Sequence, residues 1–196
     1  MTHRVAILIS GNGSNMLALA KSMTADHPAR PCVVISDNPK AKGLTNAMEL
    51  GLNTATISSH FFKDNRLEFE KELMHCLKKF GTEFVCLAGF MRILTAQFVN
   101  YWNGRILNIH PSLLPKFRGL RTHTKALVAG EKYHGCTVHE VTEHLDDGPI
   151  LGQARVTVLP EDTTDSLSQR VLLLEHELYP IVLRRFIEGD RRMVVL

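Results

Sequence analysis

The chain has 196 residues, and at roughly 150 residues per domain that length accommodates one domain. Hydrophobic residues make up 44% and charged residues 22%. That balance supplies a sizeable core and excludes disordered, collagen-like and disulfide-scaffold classes. Lys and Arg number 23 against 20 Asp and Glu, a net +3. This is too small for a general nucleic-acid binder, yet it leaves room for a locally basic pocket that takes a small anion.

Taken in chain order, Val5–Ile9 is an apolar run closed by Gly11. It is too short for a secretory signal and is predicted as the first strand. No stretch reaches the ~18 apolar residues needed to span a bilayer, so no membrane association and a cytoplasmic location are expected. Cys32–Ile35, Phe84–Ala88 and Ile106–Ile109 are further short runs of the kind that forms buried strands. Between them, Arg66 to Phe80 carries Leu67, Leu73, Met74, Leu77 and Phe80 near a 3.6-residue period, with Gly81 as its C-cap. The alternation predicts βαβ units and a parallel sheet.

The second half differs. Gly135–Val141 and Ile150–Val158 flank the turn Asp146-Asp147-Gly148-Pro149 and are predicted as an antiparallel pair. A long amphipathic helix follows from about Thr163 to Glu188, with Asp162 as N-cap and Leu167, Val171, Leu174, Leu178 and Ile181 as its inward stripe. Arg192–Leu196 is a final edge strand. Four cysteines, Cys32, Cys76, Cys86 and Cys136, form no Cys-x-x-Cys pair and are expected as reduced thiols. The prediction is one α/β domain with two functional halves, built on an open sheet with flanking helices.

Chemistry enters first at Ser10-Gly11-Asn12-Gly13-Ser14-Asn15, between the first strand and a helical pattern. Glycines permit positive φ, so successive N–H groups can curl around an anion at the helix N-terminus. The dinucleotide fingerprint fails because position 16 is Met16, and no Walker lysine is present. The segment is either a phosphate site for a mononucleotide or sugar phosphate, or a tight strand–helix turn.

In Leu107-Asn108-Ile109-His110-Pro111, strand alternation projects Asn108 and His110 on one face, and Pro111 halts regular pairing beyond them. An amide donor and an imidazole then sit at the carboxyl end of a parallel strand, where open α/β sheets bind ligands. Acyl transfer needs an oxyanion donor and a group that moves a proton near pH 7, and this pair supplies both. A structural histidine fits the same pattern. Asp146 is ordinary turn chemistry unless it meets His110, where it would favour the charged imidazolium and hold the ring.

Other patterns fail. No Gly-x-Ser-x-Gly elbow occurs, and His134, His139 and His144 lack zinc-helix spacing, so they are taken as surface or strand histidines and no metal is expected. Without an activated Ser or Cys, direct transfer is favoured over a covalent intermediate. Lys116, Arg118, Arg121 and Lys125 form a basic stretch, either a solvated loop or an attractor for anions.

Ser10–Asn15, Ala88-Gly89-Phe90-Met91-Arg92-Ile93-Leu94, Leu107–Pro115 and Leu145–Pro149 resemble, in this order and over nearly the whole chain, the phosphoribosylglycinamide formyltransferases of the formyltransferase superfamily. The resemblance implies a Rossmann-like open mixed sheet, parallel in the N-terminal half. Residues 1–105 would be the phosphate-binding half, and 106–196 the catalytic and folate-binding half. It further implies formyl transfer from 10-formyltetrahydrofolate to the amine of N1-(5-phosphoribosyl)glycinamide in purine synthesis, by a monomer or homodimer. Gly13, Ser14, Asn15 and Glu175 would hold the ribonucleotide. Arg66, Met91, Arg92, Ile93, Leu94 and Asn108 would hold the folate, and Asn108, His110 and Asp146 would be catalytic. Asp147 departs from the relatives, where Gly is frequent, and adds a second negative charge. Alternatives are a formyltetrahydrofolate hydrolase, another small-molecule formyltransferase, a nicotinamide dehydrogenase using Asp37, and a non-catalytic mononucleotide-binding module.

Overall fold

A computed structural model describes residues 2–62 and 65–196. The strands are β1 (His3–Ile9), β2 (Ala29–Ser36), β3 (Thr54–Thr56), β4 (Phe84–Leu87), β5 (Ile106–His110), β6 (Tyr133–Glu140), β7 (Ile150–Thr157) and β8 (Val194–Val195). The helices are α1 (Ser14–Ser22), α2 (Lys42–Glu49), α3 (Ser59–Phe62), α4 (Arg66–Lys79), α5 (Ala96–Tyr101), α6 (Thr122–Val128) and α7 (Thr164–Ile187). Among the described residues, eight strands join one sheet in the order β3-β2-β1-β4-β5-β6-β7-β8. β1 through β5 pair in parallel, and β6 runs antiparallel to both β5 and β7. The parallel N-terminal half is as expected from the strand–helix alternation, and the antiparallel pair as expected from the Asp146–Pro149 turn. β3, three residues long, escaped notice because so short a segment carries no readable period.

Strand alternation divides the core in two. Val5, Ile7, Ile9, Cys86, Leu107, Ile109, Cys136 and Val138 face α1 and α7. Ala6, Leu8, Val85, Leu87 and Ile106 face α4 and α5. Both faces of the parallel strands are covered, which is why those runs read as continuously apolar.

Three sequence expectations need correction. Thr163, not Asp162, caps α7: its hydroxyl accepts from Ser166 N at 3.1 Å, and the Ser166 hydroxyl accepts from Thr163 N at 3.0 Å, a reciprocal capping box. Asp162 supports that box from outside, accepting from Ser166 Oγ at 2.8 Å and pairing with Arg170. On the same helix Ile181 is turned outward while Val182 is buried, one residue away from the expected stripe. On α4, Leu67 is exposed and Phe69 takes its place in the core.

Where β1 ends, the chain order of strands reverses: α1 leads to β2 on one side, and α4 leads to β4 on the other. Such switch points open a crevice beyond the strand ends. Both candidate sites lie along it.

Candidate active site

Gly13 begins the first of them. Its φ of 74° places it in the left-handed region, and it is the N-cap of α1 without a side-chain cap bond. The first backbone bond of this helix runs from Leu17 N to Gly13 O at 2.9 Å. The N–H groups of Ser14, Asn15 and Met16 therefore have no helical acceptor, which is the general situation that makes a helix N-terminus receptive to anions. Gly13 also lies against a second glycine: a Cβ on it would come within 2.7 Å of Gly43 Cα. Gly43 N donates to Gly11 O at 3.0 Å, so the start of α2 fixes the loop from behind.

Asn15 is buried and its amide nitrogen donates to Glu175 Oε2 at 2.6 Å, joining two residues 160 positions apart. Burial among α7's apolar neighbours pushes the Glu175 carboxyl up to about 7, against a smaller opposing pull from the Asn15 amide. Asn15 Oδ1 is buried and unpartnered.

The catalytic candidates line a cavity of about 400 Å³ at the carboxyl ends of β4 and β5. Asn108 and His110 project to the α4/α5 side of the sheet, opposite Leu107 and Ile109. Asp146, in a left-handed conformation at φ 49°, enters from the turn between β6 and β7. Its Oδ2 lies 3.4 Å from His110 Nδ1 and accepts from Gly119 N at 2.9 Å. The other ring nitrogen of His110, Nε2, faces Phe117 O at 3.0 Å. The ring thus stands between two acceptors, a carbonyl oxygen and a carboxylate.

His139 completes the cluster. It pairs across the ladder with Asn108, is 2% exposed, and places Nε2 3.2 Å from Asn108 Nδ2 and 3.7 Å from Asp146 Oδ1. Its Nδ1 faces Glu140 O at 2.8 Å. Burial lowers its pKa from the usual histidine value. A neutral ring with its proton on Nδ1 donates to Glu140 O and accepts one Asn108 N–H through Nε2. The second amide N–H of Asn108 stays available to a ligand. The strand reading of His139 was right, but its place in the site was hidden, because a side chain's cross-strand partner depends on register, which spacing within one strand does not carry.

The cavity walls also include Met91, Arg92, Ile93 and Leu94. Arg92 stacks over the Phe69 ring, 5.0 Å from its centroid. Arg66, by contrast, is exposed in the first turn of α4 and is not among the lining residues. Two of the four residues of the basic stretch are paired with acids: Lys116 with Glu131 at 2.8 Å, and Arg118 with Asp147. Asp147 thereby spends its charge on Arg118 rather than on the cluster, whereas Arg121 lines the cavity. Among the described residues, no group of three or more His, Cys, Asp or Glu side chains is arranged to hold a metal ion. None of the described helices is long and apolar enough to cross a membrane.

This sheet, with an amide, an imidazole and a carboxylate gathered at its strand ends, has the features of a formyl-transferring enzyme. The profile of the formyl transferase family matches residues 3–183, and the chain belongs to that family. More particularly, it is 42% identical over 190 residues to the phosphoribosylglycinamide formyltransferase of Escherichia coli, covering 96% of this chain and 89% of that protein. It is 45% identical to the trifunctional purine biosynthetic protein adenosine-3 of Bos taurus; the match covers 97% of this chain and 19% of that much longer protein. Among solved structures, the phosphoribosylglycinamide formyltransferase of Brucella melitensis superposes with a TM-score of 0.91 at 46% identity, covering 96% of this chain and 97% of that one.

Proposed function

We propose that this enzyme transfers the formyl group of 10-formyltetrahydrofolate to the amine of N1-(5-phosphoribosyl)glycinamide. The observation that carries the reading is the Asp146 carboxylate lying between His110 and His139, at 3.4 and 3.7 Å, beside Asn108 in the cavity wall. The uncapped start of α1 at the same end of the sheet supports a phosphate on the acceptor, and the buried Glu175 supports contact with its ribose hydroxyls.

In the proposed reaction the neutral substrate amine attacks the formyl carbon, forming a C–N bond and an oxyanion. The second Asn108 N–H donates to that oxyanion, as preorganised donors do in acyl transfer, and His110 stands beside it as the group that moves a proton. Asp146, 3.4 Å from Nδ1, holds the His110 ring in place. As the bond from carbon to the folate nitrogen breaks, the proton lost by the attacking amine passes to that leaving nitrogen through water. Asn108 is itself held by His139, so the donor is oriented before the substrate arrives. Met91, Arg92, Ile93 and Leu94 line the place given to the folate. The role of Arg66 there rests on the family resemblance alone.

Mixing the enzyme with 10-formyltetrahydrofolate, with and without glycinamide ribonucleotide, tests the proposal. Formyl transfer that depends on the ribonucleotide is expected. Release of formate at the same rate without it would favour a hydrolase and overturn the reading.

A further inference from the structure

Ser10 is the last residue on β1's path before the glycine loop, and it makes three contacts with two other segments. Its N–H donates to Gly89 O at 3.1 Å. Its carbonyl accepts from Asn38 Nδ2 at 3.3 Å, and its hydroxyl accepts from Met91 N at 2.9 Å. Two of the three fall on the segment that leaves β4 and forms a wall of the catalytic cavity.

That segment is anchored by buried Phe90 and Leu94, and its backbone between them is less firmly packed. Met91 is 68% and Ile93 55% exposed, so their side chains contribute little packing that would fix the backbone. On its other side Ser10 is covalently joined to Gly11, whose carbonyl is fixed by Gly43 and which leads directly to Gly13 at the start of α1. A single side chain thus spans the switch point between the anion-receptive loop and the wall of the neighbouring cavity.

We infer that Ser10 is a positioning residue that couples the two substrate sites, through the bond from Met91 N to its hydroxyl. An anion on the glycine loop restrains Gly11–Gly13 and, through Ser10, the backbone at Met91. The folate then meets a wall already ordered, and its affinity rises with the ribonucleotide in place. Coupling of this kind is reciprocal and needs no large movement. The inference rests on the functional reading above, since it names the two ligands by that reading.

The test is the dissociation constant of tetrahydrofolate, measured by calorimetry with and without saturating glycinamide ribonucleotide. In the wild type the ratio of the two constants is expected to be about fivefold, at the low end for coupled sites. Ser10→Ala deletes the hydroxyl but keeps the backbone contacts to Gly89 and Asn38, so the ratio should fall towards one at unchanged melting temperature. Ser10→Thr keeps the hydroxyl and should keep the ratio. A wild-type ratio of one, an unchanged ratio in Ser10→Ala, or its loss in a folded Ser10→Thr would overturn the coupling while leaving the proposed reaction intact. Failure of the wild type to bind either ligand would sink the functional reading, and this inference with it.

Discussion

Glu175 carries the clearest pH signature of any single side chain. Its carboxyl is raised to about 7 in the folded protein by burial, while an unfolded glutamate titrates near 4.3. Between those values the folded state holds a proton that the unfolded state has lost, so this group's contribution to stability is complete below about pH 4.3 and lost as pH rises through about 7. Glu175→Gln keeps an acceptor for the Asn15 amide without a titrating charge. The variant should therefore melt higher than wild type at pH 8 and close to it at pH 5, as scanning calorimetry at the two values would show. Its KM for the ribonucleotide should rise if the carboxylate binds the ribose. His139 offers the complementary lesson. Its residue type was visible, but its contact with Asn108 depends on the two lying opposite each other in the ladder.

At the scale of elements, the turn from β1 into α1 and the start of α2 form one unit. A methyl group on Gly13 would meet Gly43 Cα at 2.7 Å and Met16 Cε at 3.2 Å, in a backbone conformation that L-residues avoid. Gly13→Ala should cost about 1–3 kcal/mol, the range for strained backbone positions, and should raise the ribonucleotide's KM more than the folate's. Denaturant titration and steady-state kinetics read the two effects separately, and equal damage to both KM values would contradict the division of sites. The glycine pattern in the first loop was readable because its spacing is local. Gly43, which makes the loop's conformation possible, was not, since only tertiary packing brings it there. Thr163 and Asp162 are similarly instructive: both are good capping residues in sequence, and the choice between them turns on which backbone N–H groups are left unpaired.

Across the whole molecule, the parallel half was legible because strands covered on both faces read as unbroken apolar runs, from Val5–Ile9 to Ile106–Ile109. The antiparallel pair was legible because Asp-Asp-Gly-Pro marks a turn between two strand-like segments of mixed polarity. What sequence alone could not supply was convergence. Asn108 and His110 stand on β5, Asp146 on the β6–β7 turn and His139 on β6, and it is the register of β5 against β6 that collects them. The same sheet sets the glycine loop and the Met91–Leu94 segment at one end, on adjacent strands β1 and β4.

The most direct measurement of whether this convergence performs formyl transfer is the turnover of His110→Ala with both substrates at saturation. Loss of the imidazole should lower kcat by about 10²–10⁴, the usual contribution of a positioned acid–base group, with both KM values within about threefold of wild type. A kcat within a few-fold of wild type in the folded variant would contradict the assignment of His110 to the reacting centre.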